Sequence, residues 1–446
     1  MRLALLCLLA GGLAAAPKPE YRAGAGRIKI TPASPIWMSG YASRTHPSTG
    51  VVNDLWAKAL AIEDSKGHKV VLVSTDLIGL SRAVSEAVAA EVQKKYGVER
   101  ANLVLNSSHT HTGPVIRANL ASMYDLNADQ ARTVDAYTQT LIENLVTVIG
   151  AALGDLQPAI VSFGQGETGF AVNRREITPN GVKLGVNPSG PVDHSVPVLR
   201  VTAPNGQVRA ILFGYACHNT TLTGEFYELS GDYAGFAQSE VEKAFPGATA
   251  LYYQLCAGDQ NPNPRSKLEL AMQHGRSLGE EVARVAKGTM SPVQGEVKAA
   301  FQLTELPLAP YTREQFEKET HDSNVYKVRR AREMLKAIDD RRQVTKVTYP
   351  VQAVRFKKGF TLVALGGEVV VGYGLWAKSA FPNESMMVAG YSNDVMCYIP
   401  TTRIIKEGGY EPVDSMIYYG MPGPFSDDME GHLKDTIAAV VRRVMK

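Results

Sequence analysis

Short runs of β-branched and apolar residues recur along the chain at Val70–Thr75, Leu103–Ser107, Ala159–Phe163, Val196–Val201, Val208–Ala216 and Thr249–Leu255. Each has the length and composition of a strand. Between them lie stretches of mixed apolar and charged spacing, at about 82–95, 128–150, 232–244 and 266–287, that read as helices. This alternation confines the chain to an α/β architecture: a mixed β-sheet core with flanking helices. Two more strands are expected at about 347–356 and 360–366, with one or two solvated helices over 313–342. An amphipathic helix over 427–445 closes the chain, introduced by Pro422 and Pro424 and opened by Ser426-Asp427-Asp428. The 446 residues exceed the roughly 250–300 at which single cores stop growing, so one large domain or two is expected. No repeat or linker divides the chain, and a single domain over 17–446 is the simplest organisation.

Residues 1–16, MRLALLCLLAGGLAAA, have the layout of a secretory signal peptide, with cleavage expected after Ala15. Their apolar stretch falls short of the ~20 residues that span a bilayer, so export to a secreted or periplasmic location is the expectation. Removal of the signal leaves Cys217, Cys256 and Cys397, too few for a disulfide framework and read as small buried residues. Lys and Arg number 47 against 44 Asp and Glu, a net charge of +3 with no basic stripe, so a nucleic-acid partner is not expected.

Gly164-Gln165-Gly166-Glu167-Thr168-Gly169 matches the spacing of a dinucleotide-binding loop, but a strand and turn follow it where a helix is required. Walker A, H-E-x-x-H and G-x-S-x-G signatures are absent. The histidines carry more information. The strand Leu103–Ser107 runs into Ser108-His109-Thr110-His111-Thr112-Gly113-Pro114, and in an extended chain residues two apart share a side. His109 and His111 would then face one cavity, as metal ligands, as acid–base groups or merely as capping residues. His218 ends another strand, and Cys256-Ala257-Gly258-Asp259-Gln260-Asn261-Pro262-Asn263-Pro264 builds a tight turn after a third. Polar clusters at three strand ends suit the crevice at the carboxyl edge of a sheet. Glu368 follows two glycines inside an apolar run, where burial demands a partner or a metal and a wet loop does not. Asp54 and Asp76, near early strand ends, either support the site or cap turns, and local polarity favours capping.

Taken together, AGAGRIKITP with MSGYASR, HTHTGP, NRR, YACHNT with SGDYAGFA, AGDQNPN, GGE and NDVMCYIPTT…GGY form an ordered set. The set resembles the catalytic domain of the neutral/alkaline non-lysosomal ceramidases, from about Gly24 to about Pro412. The resemblance implies one zinc ion held by His109, His218, Glu368 and Tyr398, the last of which residue chemistry alone does not select. It implies that His111, Arg174 and Tyr410 bind or polarise the amide. It also implies hydrolysis of the N-acyl bond of ceramide or a related N-acyl lipid by zinc-activated water. His111 would shuttle a proton to the leaving amine, while Arg174 and Tyr410 stabilise the oxyanion.

Two departures stand out. Asn261 occupies the Ser position of the family's G-D-x-S-P-N turn, and an amide cannot act as a nucleophile there. The C-terminal β-sandwich of full-length ceramidases is not expected in this chain. The leading expectation is therefore an exported zinc amidohydrolase acting on a lipid or small-molecule amide, with transient contact with a membrane surface left open by the sequence. A zinc hydrolase of the same fold cleaving another amide or ester, and a secreted binding protein on a decayed scaffold, are the alternatives. The sequence leaves the oligomeric state open.

Overall fold

Alternate residues of the central strands face two different apolar layers, and this sets the architecture. In the strand Trp56–Asp64, Leu60 and Ile62 point into the core between the sheets, while Ala57, Ala59 and Ala61 pack outward against helices. In Val208–Tyr215, Ala210 and Leu212 point inward and Ile211, Phe213 and Tyr215 outward. Leu362 and Ala364 of Phe360–Leu365 face the same inner core, with Val363 and Leu365 on the other side. Strands apolar on both faces must be covered on both, and the result is helices, two sheets and helices in layers.

The structure is a computed structural model that describes residues 19–446; the expected signal peptide lies outside the described residues. The larger sheet is mixed. Its strands run in the order Thr249–Gln254, Val208–Tyr215, Ser195–Thr202, Gln157–Glu167, Tyr21–Lys29, Trp56–Asp64, Lys69–Thr75 and Leu103–Ser107. Its two end pairs are parallel and the joins between them antiparallel. The second sheet runs Gln294–Pro307, Lys346–Lys358, Phe360–Leu365 and Met386–Ala389. Bridges between Asn106 and Ser392 and between Leu255 and Ala389 stitch it to both ends of the larger sheet. Helices Arg82–Tyr96 and Ala128–Gly154, Asp232–Ala244 and Leu268–Lys287, and Val371–Ala380 and Met429–Met445 form the outer layers. Among the described residues no β-sandwich accompanies these layers.

Every strand and helix expected above is present to within a few residues, and the 313–342 segment divides into Arg313–Glu319 and Val325–Asp339. Gly164–Glu167 ends the strand Gln157–Glu167, and Thr168 and Gly169 lead into the strand Ala171–Thr178 with no helix between. Cys217, Cys256 and Cys397 are free and buried. No described helix is long and apolar enough to cross a membrane.

The glycines of AGAGRIKITP have a packing reason. A Cβ on Gly24 would lie 2.2 Å from the carbonyl oxygen of Ala152 in the helix Ala128–Gly154, and one on Gly26 would lie 2.8 Å from that of Val148. The strand Tyr21–Lys29 lies directly on that helix backbone. Gly24→Ala is expected to lower stability by about 1–3 kcal/mol through overpacking. A fall in the urea midpoint with an unchanged slope checks this.

Candidate metal centre

Strands of both sheets end around one buried point. The chain leaves Leu103–Ser107 through a tight turn in which His109 takes a left-handed backbone, φ 61°. His109 and His111 therefore do not share a side by strand alternation, as the sequence suggested. The turn at His109 breaks the extended run, yet it still brings the two Nε2 atoms to 3.1 Å. His218 follows the strand Val208–Tyr215, with its backbone N–H donating to the Gln260 carbonyl at 3.0 Å. Glu368 and Tyr398 begin two short parallel strands, Glu368–Val369 and Tyr398–Ile399, in which they are direct register partners.

Each imidazole is anchored through Nδ1 to a backbone carbonyl: His109 to Ile78 at 2.6 Å, His218 to Ala257 at 2.8 Å, and His111 to Gly40 at 3.2 Å. A carbonyl can only accept, so in the neutral rings the proton sits on Nδ1 and Nε2 presents a lone pair. Gly40 permits the last of these contacts, since a Cβ there would sit 2.4 Å from His111 Nδ1. The lone pairs then converge. His109 Nε2 lies 3.1 Å from His218 Nε2, and Glu368 Oε2 lies 3.0 and 2.9 Å from these two nitrogens. The Tyr398 hydroxyl is 3.2 Å from His218 Nε2.

Acceptors meeting acceptors at this range, with His109 and His218 fully buried, repel one another unless a cation lies among them. The separations approach the ~3.3 Å edge of a tetrahedron with bonds of ~2.0 Å. Imidazole and carboxylate donors, ring tautomers fixed from behind and this spacing all fit a divalent metal ion, and the three histidines form a group that could hold one. Burial and the nearby Arg174 charge push His218 down to about 3. Burial, with His109 and His218 alongside, holds His111 well below the ordinary imidazole range.

Arg174 reaches the centre from the strand Ala171–Thr178. Its Nη2 donates to the Tyr398 hydroxyl at 3.0 Å, its Nη1 to Asn261 Oδ1 at 3.4 Å and its Nε to Glu411 at 2.9 Å. Glu411 is fully buried and also binds Arg175. Burial alone would raise the Glu411 carboxyl, and the two guanidinium groups hold it below its usual range. Tyr410 packs edge-on to Tyr398 at 5.6 Å, and its hydroxyl has no protein partner among the described residues. All seven residues singled out in the sequence thus lie in one cluster.

Asp76 and Asp54 stand elsewhere. Asp76 accepts from the Trp56 backbone and Gln238, and Asp54 from Thr31 at the surface. Both are structural, as the sequence suggested. Two contributors escaped the sequence reading. Glu411 carried a faint signal, a carboxylate facing the Arg174-Arg175 pair. Tyr419 carried none, and its hydroxyl donates to Glu368 Oε1, leaving Oε2 for the histidines.

An αββα protein with a buried imidazole–carboxylate centre at its strand ends is the class that fold and site define. The chain belongs to the neutral/alkaline non-lysosomal ceramidase family, whose N-terminal description matches residues 21–306. It is 29% identical over 318 residues to the neutral ceramidase of Pseudomonas aeruginosa, covering 65% of this chain and 46% of that protein. It is 29% identical over 270 residues to neutral ceramidase B of Dictyostelium discoideum, covering 55% and 36% of the two chains. The matched part thus spans less than half the length of these relatives. The crystal structure of the Pseudomonas aeruginosa neutral ceramidase superposes with a TM-score of 0.72 at 22% identity, over 96% of this chain and 75% of that one. A structure of a ceramidase complexed with C2 gives 0.73 at 21% identity, and both likenesses concern the fold.

Because Tyr419 fixes the free oxygen of Glu368, Tyr419→Phe is expected to weaken divalent-metal retention by about 10–100-fold without altering the fold. Competition with a chromogenic chelator, beside circular dichroism, measures both.

Proposed function

We propose that this chain is an exported, zinc-dependent amidohydrolase that cleaves the N-acyl amide bond of ceramide or a related N-acyl lipid. The observation that carries the reading is the convergence of His109, His218 and Glu368 at 2.9–3.1 Å, with Tyr398 beside them, in a chain of the ceramidase family. These four residues would hold the metal. Zinc, when bound, supplies Lewis-acid polarisation of the amide and acidification of water, both of which amide hydrolysis near neutral pH needs. Export rests on the composition of residues 1–16.

The remaining work falls to side chains. His111 is anchored through Nδ1 to the Gly40 carbonyl and turns Nε2 to the centre, so it can take a proton there and pass it to the leaving amine. The Tyr410 phenol is raised above its ordinary range by burial, so it stays protonated and can donate to the acyl oxygen as charge develops. Arg174, charged and locked by Glu411, brings a fixed positive charge to the same side. Desolvation behind the centre strengthens each of these interactions.

The spacing of His111 Nε2, 3.1 Å from His109 Nε2, also favours a second reading in which His111 is itself a ligand. His111→Ala separates the two. The expected result is a fall in kcat of about 10²–10⁴-fold with zinc retained; loss of the zinc would make His111 a ligand instead. The primary test is fatty-acid release from a short-chain ceramide by purified protein. Release is expected to stop with a zinc chelator and return when zinc is added. No release from zinc-loaded protein would remove ceramide as substrate and point to another amide or an ester.

A further inference from the structure

We propose that Asn261 is a substrate-binding residue whose Nδ2 donates a hydrogen bond to the acyl oxygen at the centre; this rests on the amidohydrolase reading above. Asn261 lies in the short strand Gln260–Pro262, paired with the strand Ala171–Thr178 opposite Val172, so its backbone is fixed. Its side-chain oxygen accepts from Arg174 Nη1 at 3.4 Å and from Thr220 Oγ1 at 3.3 Å. A guanidinium has donors only, so the end of the amide turned toward Arg174 is the oxygen. The nitrogen is therefore the end of the amide that these two contacts leave free. Among the described residues Nδ2 donates to no protein atom, and it is not sealed from solvent, since Asn261 is half-buried and this atom is absent from the enclosed, unpaired polar atoms.

Position does the rest. The guanidinium that holds Asn261 Oδ1 also donates to the Tyr398 hydroxyl, so the two side chains are separated by the width of one planar group. Thr220, the second residue holding the amide, is two residues beyond His218. A free amide N–H pair stands at the edge of the cluster, its orientation set in advance by Arg174 and Thr220. A fixed amide donor next to a reacting carbonyl stabilises the oxygen as it gains negative charge, and needs no rearrangement to do so. A carboxamide has no nucleophilic oxygen, so residue 261 forms no covalent bond to the acyl group. Its contribution is one hydrogen bond, alongside that of Tyr410.

The test compares the wild type with Asn261→Asp and Asn261→Ala. Asp keeps an oxygen facing Arg174 and Thr220 and loses the donor; Ala loses both. Four quantities are measured: kcat and KM on a short-chain ceramide, zinc content, Tm, and calorimetric affinity for laurate, whose carboxylate presents oxygens like those of the acyl group. Both variants are expected to keep zinc and Tm, to lose about 10²–10³-fold in kcat, and to change KM less than threefold. Asn261→Ala should bind laurate at least tenfold more weakly. Turnover within twofold of wild type in either variant, or laurate affinity unchanged in Asn261→Ala, overturns the proposal. Should Asn261→Ala fold poorly, the nearly isosteric Asp variant decides through its kcat. A wild type inactive on ceramide, with laurate binding still weakened by Asn261→Ala, would overturn the ceramide reading and leave the donor standing.

Discussion

Lone pairs with no proton between them are what the rest of this structure is arranged around. His109, His218 and Glu368 bring buried acceptor atoms to about 3 Å, an arrangement that is repulsive on its own. It persists because each side chain is tied from behind: two rings to the carbonyls of Ile78 and Ala257, and the carboxylate to Tyr419. These anchors belong to separate stretches of chain, so the two-sheet fold must close before the centre exists. The apolar layers contribute most of the stability, and the polar contacts decide where that stability places a handful of atoms.

A second layer of charge steadies this arrangement. Glu411 lies between Arg174 and Arg175, wholly buried, joining the 410 region to the strand that carries both arginines. Removing one member of such a group is far costlier than the pair is worth, because a charge would be left alone in the interior. Asp259 plays a similar part without a formal partner. It accepts from the Val371 backbone at 2.7 Å and from Asn173 at 3.2 Å, and burial pushes its carboxyl up to about 6. The turn that presents Asn261 is thereby fastened to the start of the helix Val371–Ala380.

Most of the strands and helices were legible because their apolar periodicity matches the layer each one faces. The strand Trp56–Asp64 was not. Its outward positions are Ala57, Ala59 and Ala61, small enough to admit two helices, and alanine has a helical preference that hides a strand. Tyr21–Lys29 was obscured in the same way by glycines whose purpose is closeness to a helix backbone. Within the centre, His109 and His218 followed from polar residues at strand ends, a rule of topology. Glu368 was ambiguous by chemistry, Tyr398 came only through the family resemblance, and Tyr419 gave no sign. A phenol is most often a packing residue, and only the folded chain distinguishes one whose hydroxyl meets a carboxylate. The pairing of His109 with His111 was anticipated for a different reason than the one observed, a left-handed residue in place of an extended run.

The two-rung parallel pair that joins Glu368 to Tyr398 has a further consequence. Side chains on a strand alternate sides at every residue, so a slip of one rung would put Gly367 or Val369 where the carboxylate belongs and Cys397 or Ile399 where the phenol belongs. No intermediate register supplies half a centre. A bound cation would therefore read the alignment of these strands as a lock reads a key, held only by molecules whose last short pairing had closed on the right rung. Ion retention would then act as a proofreading step for folding.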